Sequence, residues 1–76
     1  MNKPRRIALN KIKEQIEDLK CALEELLEEE QEAFDNMPEG LQASEKGEKM
    51  EENISALEEA IGNLEEAVDN IDTAIE

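Results

Sequence analysis

Apolar residues follow a seven-residue pattern along the C-terminal half of the chain. They recur at alternating steps of four and three residues, at Met50, Ile54, Leu57, Ile61, Leu64, Val68, Ile71 and Ile75. This alternation is the seam of a supercoiled α-helix, in which two positions of each heptad, a and d, face a partner helix. With Ile54 at a, a further apolar column falls at g and widens this face: Ala60, Ala67 and Ala74.

The N-terminal half carries the same alternation. Its a and d positions are filled by Leu9, Ile12, Ile16, Leu19, Leu23 and Leu26. Leu27 and Phe34 flank this seam at e, and Glu30 interrupts it at an a position. The first helix is therefore predicted to have an apolar face wider than a two-stranded coiled coil requires.

A turn containing proline separates the two patterns. Pro38 cannot donate a backbone hydrogen bond and disfavours helical geometry in the residue before it, so the first helix is predicted to end near this point. Ser44 is a favourable N-cap for the second helix. The chain is thus predicted to form one domain over residues 1–76, with helices over about 4–36 and 45–75 and a loop over about 37–44.

Two helices of similar length joined by a short loop indicate an antiparallel hairpin, and the predicted fold class is all-α. This arrangement sets the basic start of the first helix beside the end of the second, where no basic residue follows Lys49. It also brings the acid-rich end of the first helix towards Lys46 and Lys49. Gly47 and Gly62 are expected to weaken the second helix by on the order of 1 kcal/mol each relative to Ala.

The predicted apolar faces are too wide for a hairpin alone. Faces that span a, d and either e or g are typical of three or four helices around one core. We therefore expect a homodimer of hairpins that forms a four-helix bundle. The alternative is a single hairpin whose spare apolar face binds a different protein.

The chain is strongly acidic. Its 22 acidic and 8 basic residues give a formal net charge of -14. Such a chain repels the phosphate backbone, so direct binding to nucleic acid is not expected. No apolar run is long enough to span a bilayer, and a single cysteine fits a reducing compartment. The expected location is the cytoplasm, without a membrane partner.

Residues suited to catalysis are scarce. The chain has no His and no Tyr, and Cys21 has no base near it in sequence that would activate its thiol. Glu30 is the only carboxylate at a seam position, whereas helical bundles that hold two metal ions combine several Glu with His. We therefore expect no catalytic residue, no cofactor and no metal site, and we do not expect an enzyme.

Acidic residues of the second helix fall in columns on its outer side. They repeat every seven residues, a step of about 10.5 Å at helical rise, and no Lys or Arg is interleaved with them. Like charges arranged in this way cost stability. The sequence therefore predicts either a partner-binding face or a solubilising exterior at Glu51, Glu52, Glu58, Glu59, Glu65, Glu66, Asp69 and Asp72.

The loop and its flanks resemble a group of known sequences. The stretch from Glu30 to Glu52, and within it FDNMPEGLQ at 34–42, is similar to small acidic hypothetical proteins carried by phages and mobile genetic elements of bacteria. That group has no established activity, so the resemblance implies no functional residue. It favours a phage-borne inhibitor of a host protein, such as an anti-defence protein that imitates DNA, acting in the host cytoplasm.

Two hypotheses for the function follow. In the first, the protein is an acidic, DNA-mimic-like inhibitor whose acidic columns block a basic surface of a nucleic-acid-binding protein. In the second, it is a structural or adaptor coiled coil whose apolar seam binds a partner helix. The first predicts binding that weakens with added salt, and the second predicts binding that salt leaves unchanged.

Overall fold

The protein is an antiparallel helical hairpin. The computed structural model describes all 76 residues, Met1–Glu76, and contains helix α1 (Lys3–Asp35), the short helix α2 (Glu39–Gln42) and helix α3 (Glu45–Ile75). No strand is present. Helices α1 and α3 pack along their length in a rod of 58 × 15 × 12 Å. The predicted all-α hairpin is confirmed.

Local capping interactions set both ends of α1. The Asn2 side chain accepts a hydrogen bond from the Arg5 backbone N–H at 2.9 Å, as an N-cap residue does, and Pro4 lies in the first turn, where its missing N–H costs nothing. At the other end, Asn36 keeps a helical backbone conformation before the chain turns at Pro38. These contacts fix where the 33-residue helix α1 begins and ends.

The segment predicted as a loop contains a turn of helix. After Pro38, the backbone N–H groups of Leu41 and Gln42 both donate to the Pro38 carbonyl, at 2.9 and 3.0 Å. The Gln42 side-chain amide then donates to the carbonyls of Phe34 and Met37, at 3.0 and 3.1 Å. The Phe34 carbonyl at the C-terminal end of α1 and the Met37 carbonyl in the turn both accept a hydrogen bond in this way. Helix α2 therefore ties the turn to the end of α1.

Ser44 and Gly47 fix the start of α3. The predicted cap at Ser44 is confirmed, since its hydroxyl accepts from the Gly47 N–H at 3.4 Å and donates to the Leu41 carbonyl. Gly47 is buried under α2, and a β-carbon at this position would overlap the Gln42 carbonyl group. The expectation that Ala would be better than Gly at position 47 is therefore wrong. Glycine is needed there because the backbone of α2 crosses α3 at close range.

The hairpin core is centred on the a positions of α3. Ile54 and Ile61 retain only 7% and 8% of their exposure and are the only buried apolar residues. The other seam residues of α3 are half-buried: Met50, Leu57, Leu64, Val68, Ile71 and Ile75. On α1, the half-buried apolar positions that pair with this face are Leu9, Ile16, Leu23, Leu27 and Phe34.

Three predicted seam residues do not belong to this core. Ile12, Leu19 and Leu26, the d column of α1, are 45%, 62% and 54% exposed. Helix α1 is rotated about its axis so that its a and e columns face α3. The e column is half-buried there and contributes Leu27, Phe34 and the aliphatic stems of Lys13 and Lys20 to the contact. All three belong to the set predicted for core packing or self-association, and within the single hairpin they stay exposed. None of the helices has a stretch long and apolar enough to cross a bilayer.

Candidate functional site

An acidic strip runs along the outer side of α3. We use this name for the eight predicted carboxylates, all of which are exposed: Glu51, Glu52, Glu58, Glu59, Glu65, Glu66, Asp69 and Asp72. Helix α3 is 31 residues long and carries them on one rigid element, about 46 Å in length at 1.5 Å per residue. The strip is therefore a fixed array of charge.

The half of the strip near the open end of the hairpin is partly neutralised. Lys13 Nζ lies 2.7 Å from Asp72 Oδ1, and Lys20 Nζ lies 3.4 Å from Glu65 Oε1. Both lysines are at e positions of α1, and both carboxylates are at e positions of α3, which is how antiparallel helices align their flanks. The basic start of α1 was predicted to lie beside the basic-free end of α3, and these two ion pairs are the contacts formed there.

The pair between Lys13 and Asp72 is the shorter of the two. The hydrogen bond that Lys13 donates to Asp72 raises the pKa of the Lys13 ammonium above its ordinary value of 10.5. Lost hydration opposes this shift, and the negative charges of Asp72, Glu17 and Glu14 reinforce it. Lys13 is therefore fully charged at neutral pH and holds Asp72 in place.

The half of the strip near the turn is not neutralised by α1. Glu51, Glu58 and Glu59 make no ion pair within the chain. Glu52 pairs only with Lys49, at 3.8 Å, and the two side chains are 72% and 71% exposed. Glu66 and Asp69 are also unpaired. Open, solvent-filled grooves lie beside these residues; one is lined by Glu48, Glu51, Glu52, Ser55, Ala56 and Glu59.

The expected contact of Lys46 and Lys49 with the acid-rich end of α1 is not formed. The observed pairs set residue 13 opposite 72 and residue 20 opposite 65. Continued along the hairpin, this register places Lys46 and Lys49 beyond the glutamates of α1, next to the turn. Lys49 pairs with Glu52 of its own helix instead.

An apolar stripe lies on the opposite flank of the hairpin from the two cross-helix ion pairs. We use this name for Ile12, Leu19 and Leu26 of α1, which are spaced by seven residues and exposed. Leu26 borders a shallow groove with Leu57 of α3 and with Glu29 and Glu30. Sequence reasoning placed these residues in the seam and expected some apolar surface to stay uncovered, but it did not identify the d column of α1 as that surface. The only signal was the pair of large apolar residues at e, Leu27 and Phe34.

The remaining candidate residues, Cys21 and Glu30, border these two surfaces but belong to neither. Cys21 is exposed at an f position, as its register predicted, beside Glu17 and Lys20 in an open groove. Glu30 is half-buried beside Leu26 and Leu57 and makes no ion pair. No three of the Cys, Asp and Glu side chains converge on one point as metal ligands do.

Comparison of the chain with protein-family models, with curated proteins and with solved structures gives no match. The resemblance to small acidic phage proteins therefore stays a prediction. The two surfaces just described, the acidic strip and the apolar stripe, are the features from which a function can be inferred.

Proposed function

We propose that this protein acts by binding, as an acidic inhibitor that occupies a basic, nucleic-acid-binding surface of another protein. The observation that carries the proposal is the set of unpaired carboxylates on α3. Solvent-exposed coiled-coil surfaces usually interleave acids and lysines, which stabilise a helix through i,i+4 pairs. From Met50 onwards, helix α3 has no lysine or arginine between its carboxylates, so their mutual repulsion destabilises it.

The charge density of α3 is of the same order as that of a nucleic-acid strand. Ten carboxylates and two lysines lie on its 31 residues, so the helix carries one net negative charge about every 5.8 Å at helical rise. A strand of duplex DNA presents one negative charge per 3.4 Å. Because the carboxylates are carried by a folded helix, the backbone needs no ordering when a partner binds, which lowers the entropic cost of association.

The experiment is a displacement titration. Complexes between a labelled DNA duplex and basic DNA-binding proteins purified from bacteria are titrated with this chain, and release of the duplex is followed by fluorescence anisotropy. We expect displacement of DNA from at least one of these proteins, with an affinity that falls as salt rises because the contact is electrostatic.

Two triple variants with equal charge change provide the control. In one, Glu58, Glu59 and Glu66 of the strip are each replaced by Lys. In the other, the same replacement is made at three exposed acids of α1: Glu14, Asp18 and Glu25. The strip variant is expected to lose displacement and the α1 variant to keep most of it. Equal losses in the two variants, at retained helicity, would rule out the strip as the contact face.

The apolar stripe favours a second function, that of a structural or adaptor module that binds a partner helix. An exposed row of Ile12, Leu19 and Leu26 is the kind of surface that a helix-in-groove contact uses. Binding of this kind depends on apolar area and is insensitive to salt. A partner whose affinity survives the triple change in the acidic strip but is lost when Leu19 becomes polar supports this second function.

A further inference from the structure

The apolar stripe has the properties of an interface between two copies of this chain. We propose that the chain forms a homodimer in which the two α1 helices pack antiparallel through the stripe, with Leu19 at the two-fold axis. The dimer does not depend on the proposed inhibitory function, since the acidic strip lies on the other flank of each hairpin.

The exposed area of the single chain leaves room for such an interface. The accessible surface is 5676 Å² for a mass of 8.6 kDa. A compact monomer of this mass exposes roughly 4,700 Å², so the hairpin exposes about 1,000 Å² more than a folded chain of its size usually does. A stable dimer of standard size buries about 800 Å² from each partner. The excess is of that size.

The stripe is complementary to itself when one copy is reversed. Its column on α1 reads Arg5, Ile12, Leu19, Leu26, Ala33, with a spacing of seven throughout. Reversal about Leu19 sets Leu19 against its own copy and Ile12 against Leu26 of the partner. Two-fold symmetric dimers require a surface of this kind, in which each contact occurs twice.

Charge selects the antiparallel orientation and a second copy as the occupant. Arg5 and Lys11, at or beside the basic end of the stripe, make no ion pair within the chain, and neither do Glu29 and Glu32 beside its other end. Reversal about Leu19 sets the basic end of each copy against this acidic end of the other. A parallel pair would set like charges together, which is unfavourable.

The contact spans most of α1. From Arg5 to Ala33 the overlap covers roughly 42 Å at 1.5 Å per residue. Leu57 borders the same groove as Leu26, so α3 contributes at the edge and the assembly contains four helices. Both acidic strips stay on the outside of the dimer, because they flank the side of α3 that pairs with Lys13 and Lys20.

Sedimentation equilibrium of the full chain tests the proposal with a matched pair of variants. Leu19→Glu places a carboxylate at the centre of the stripe. Ile7→Glu makes the same change at an f position of α1 whose side chain is equally exposed, 60% against 62%. We expect the unmodified chain and Ile7→Glu to be dimers at micromolar concentration, and Leu19→Glu to weaken dimerisation by at least about tenfold while keeping its helical circular dichroism. A monomeric unmodified chain, or equal dimerisation of both variants, would overturn the proposal.

Two further measurements keep the test decisive if Leu19→Glu unfolds. Arg5→Glu is expected to weaken the dimer several-fold, and adding Glu29→Arg to restore it, because the two positions approach each other only between antiparallel copies. Nitroxide labels at Asn10→Cys, in a Cys21→Ser background, are expected roughly 27 Å apart along the helix axis at 1.5 Å per residue. Labels at the same axial level, or no recovery by the second charge reversal, would contradict the antiparallel dimer.

Discussion

Helices α1 and α3 carry the same heptad pattern over 33 and 31 residues, yet they use it differently. All three buried residues of the chain, Gly47, Ile54 and Ile61, belong to α3, and α1 has none. Four of the large apolar residues that remain exposed belong to α1: Ile7, Ile12, Leu19 and Leu26. Helix α3 directs its apolar residues to one face, whereas α1 divides them between α3 and solvent.

This difference shows why a heptad seam does not by itself define an interface. On α3, the only apolar residues that flank the seam are the small Ala60, Ala67 and Ala74 at g, so all the large apolar residues lie on one face. On α1, the columns at a, d and e all contain large apolar residues, and α3 can cover only two of them. The helix with the wider apolar face is the one that keeps a surface for a further contact.

The largest expected effect is a loss of stability when a core side chain of α3 is shortened, set against the same change in the exposed seam of α1. Ile61→Ala removes a side chain from the centre of the core and is expected to destabilise the hairpin by about 2–5 kcal/mol. Leu19→Ala, at a d position of the α1 seam that is exposed, is expected to change the stability of the single hairpin by less than about 0.5 kcal/mol. Urea unfolding followed by circular dichroism at successive dilutions measures both, with the Leu19 value taken at the dilute limit.

Equal losses for Ile61→Ala and Leu19→Ala at that limit would mean that the two helices bury their seams alike. The rotation of α1 described above would then be incorrect. A loss at Leu19 that grows with protein concentration is a different result, since it reports association through the apolar stripe and leaves the comparison within the hairpin intact.

The sequence predicts the helices and their pairing but not the rotation of α1. Pro38 and Ser44 act locally, so the turn and the cap at the start of α3 could be read directly from their chemistry. The choice between the d column and the e column of α1 could not, because Leu19 and Leu27 are equally apolar. It depends on which column packs better against Ile54 and Ile61 and on the lysine stems beside them.

The candidate surfaces were predictable to the same extent. The residues of the acidic strip follow from register alone, since the b, e and f positions of α3 lie outside its apolar face at a, d and g. Which of these carboxylates are neutralised depends on the exact pairing of Lys13 with Asp72 and Lys20 with Glu65, and so on the register between helices. The role of Gly47 depends on the path of α2 across α3, and no local sequence pattern predicts that path.

The second largest expected effect concerns two glycines of α3, Gly47 and Gly62, of which only Gly47 lies against the turn. Gly62→Ala meets no atom within 4 Å and is expected to stabilise the helix by about 0.5–1 kcal/mol, because Ala loses less backbone entropy on folding. Gly47→Ala is expected to destabilise by about 1–3 kcal/mol, because its β-carbon would overlap α2.

Thermal unfolding of the two glycine variants under the same conditions provides the measurement. The opposite signs are the informative part, since both substitutions raise helix propensity by the same amount. Stabilisation by both would show that α2 does not lie against Gly47 and that the turn is looser than described.

The smallest expected effect concerns the one place where α1 stabilises the end of the acidic strip. Asp72→Asn removes the partner of Lys13, and Asp69→Asn removes an equal charge that has no partner. We expect Asp72→Asn to be the less stable variant in urea unfolding at neutral pH, by less than the cost of Gly47→Ala, because exposed ion pairs contribute little. The difference should shrink in high salt, which screens the pair.

The pH dependence of that difference follows from the raised pKa of Lys13. A lysine whose folded pKa is raised contributes its stability fully below the unfolded value and loses it as pH rises through the folded value. The gap between Asp72→Asn and Asp69→Asn is therefore expected to persist at neutral pH and to close above the ordinary lysine value of 10.5. A gap that stays constant through that range would show that Asp72 stabilises the hairpin through a contact other than its bond to Lys13.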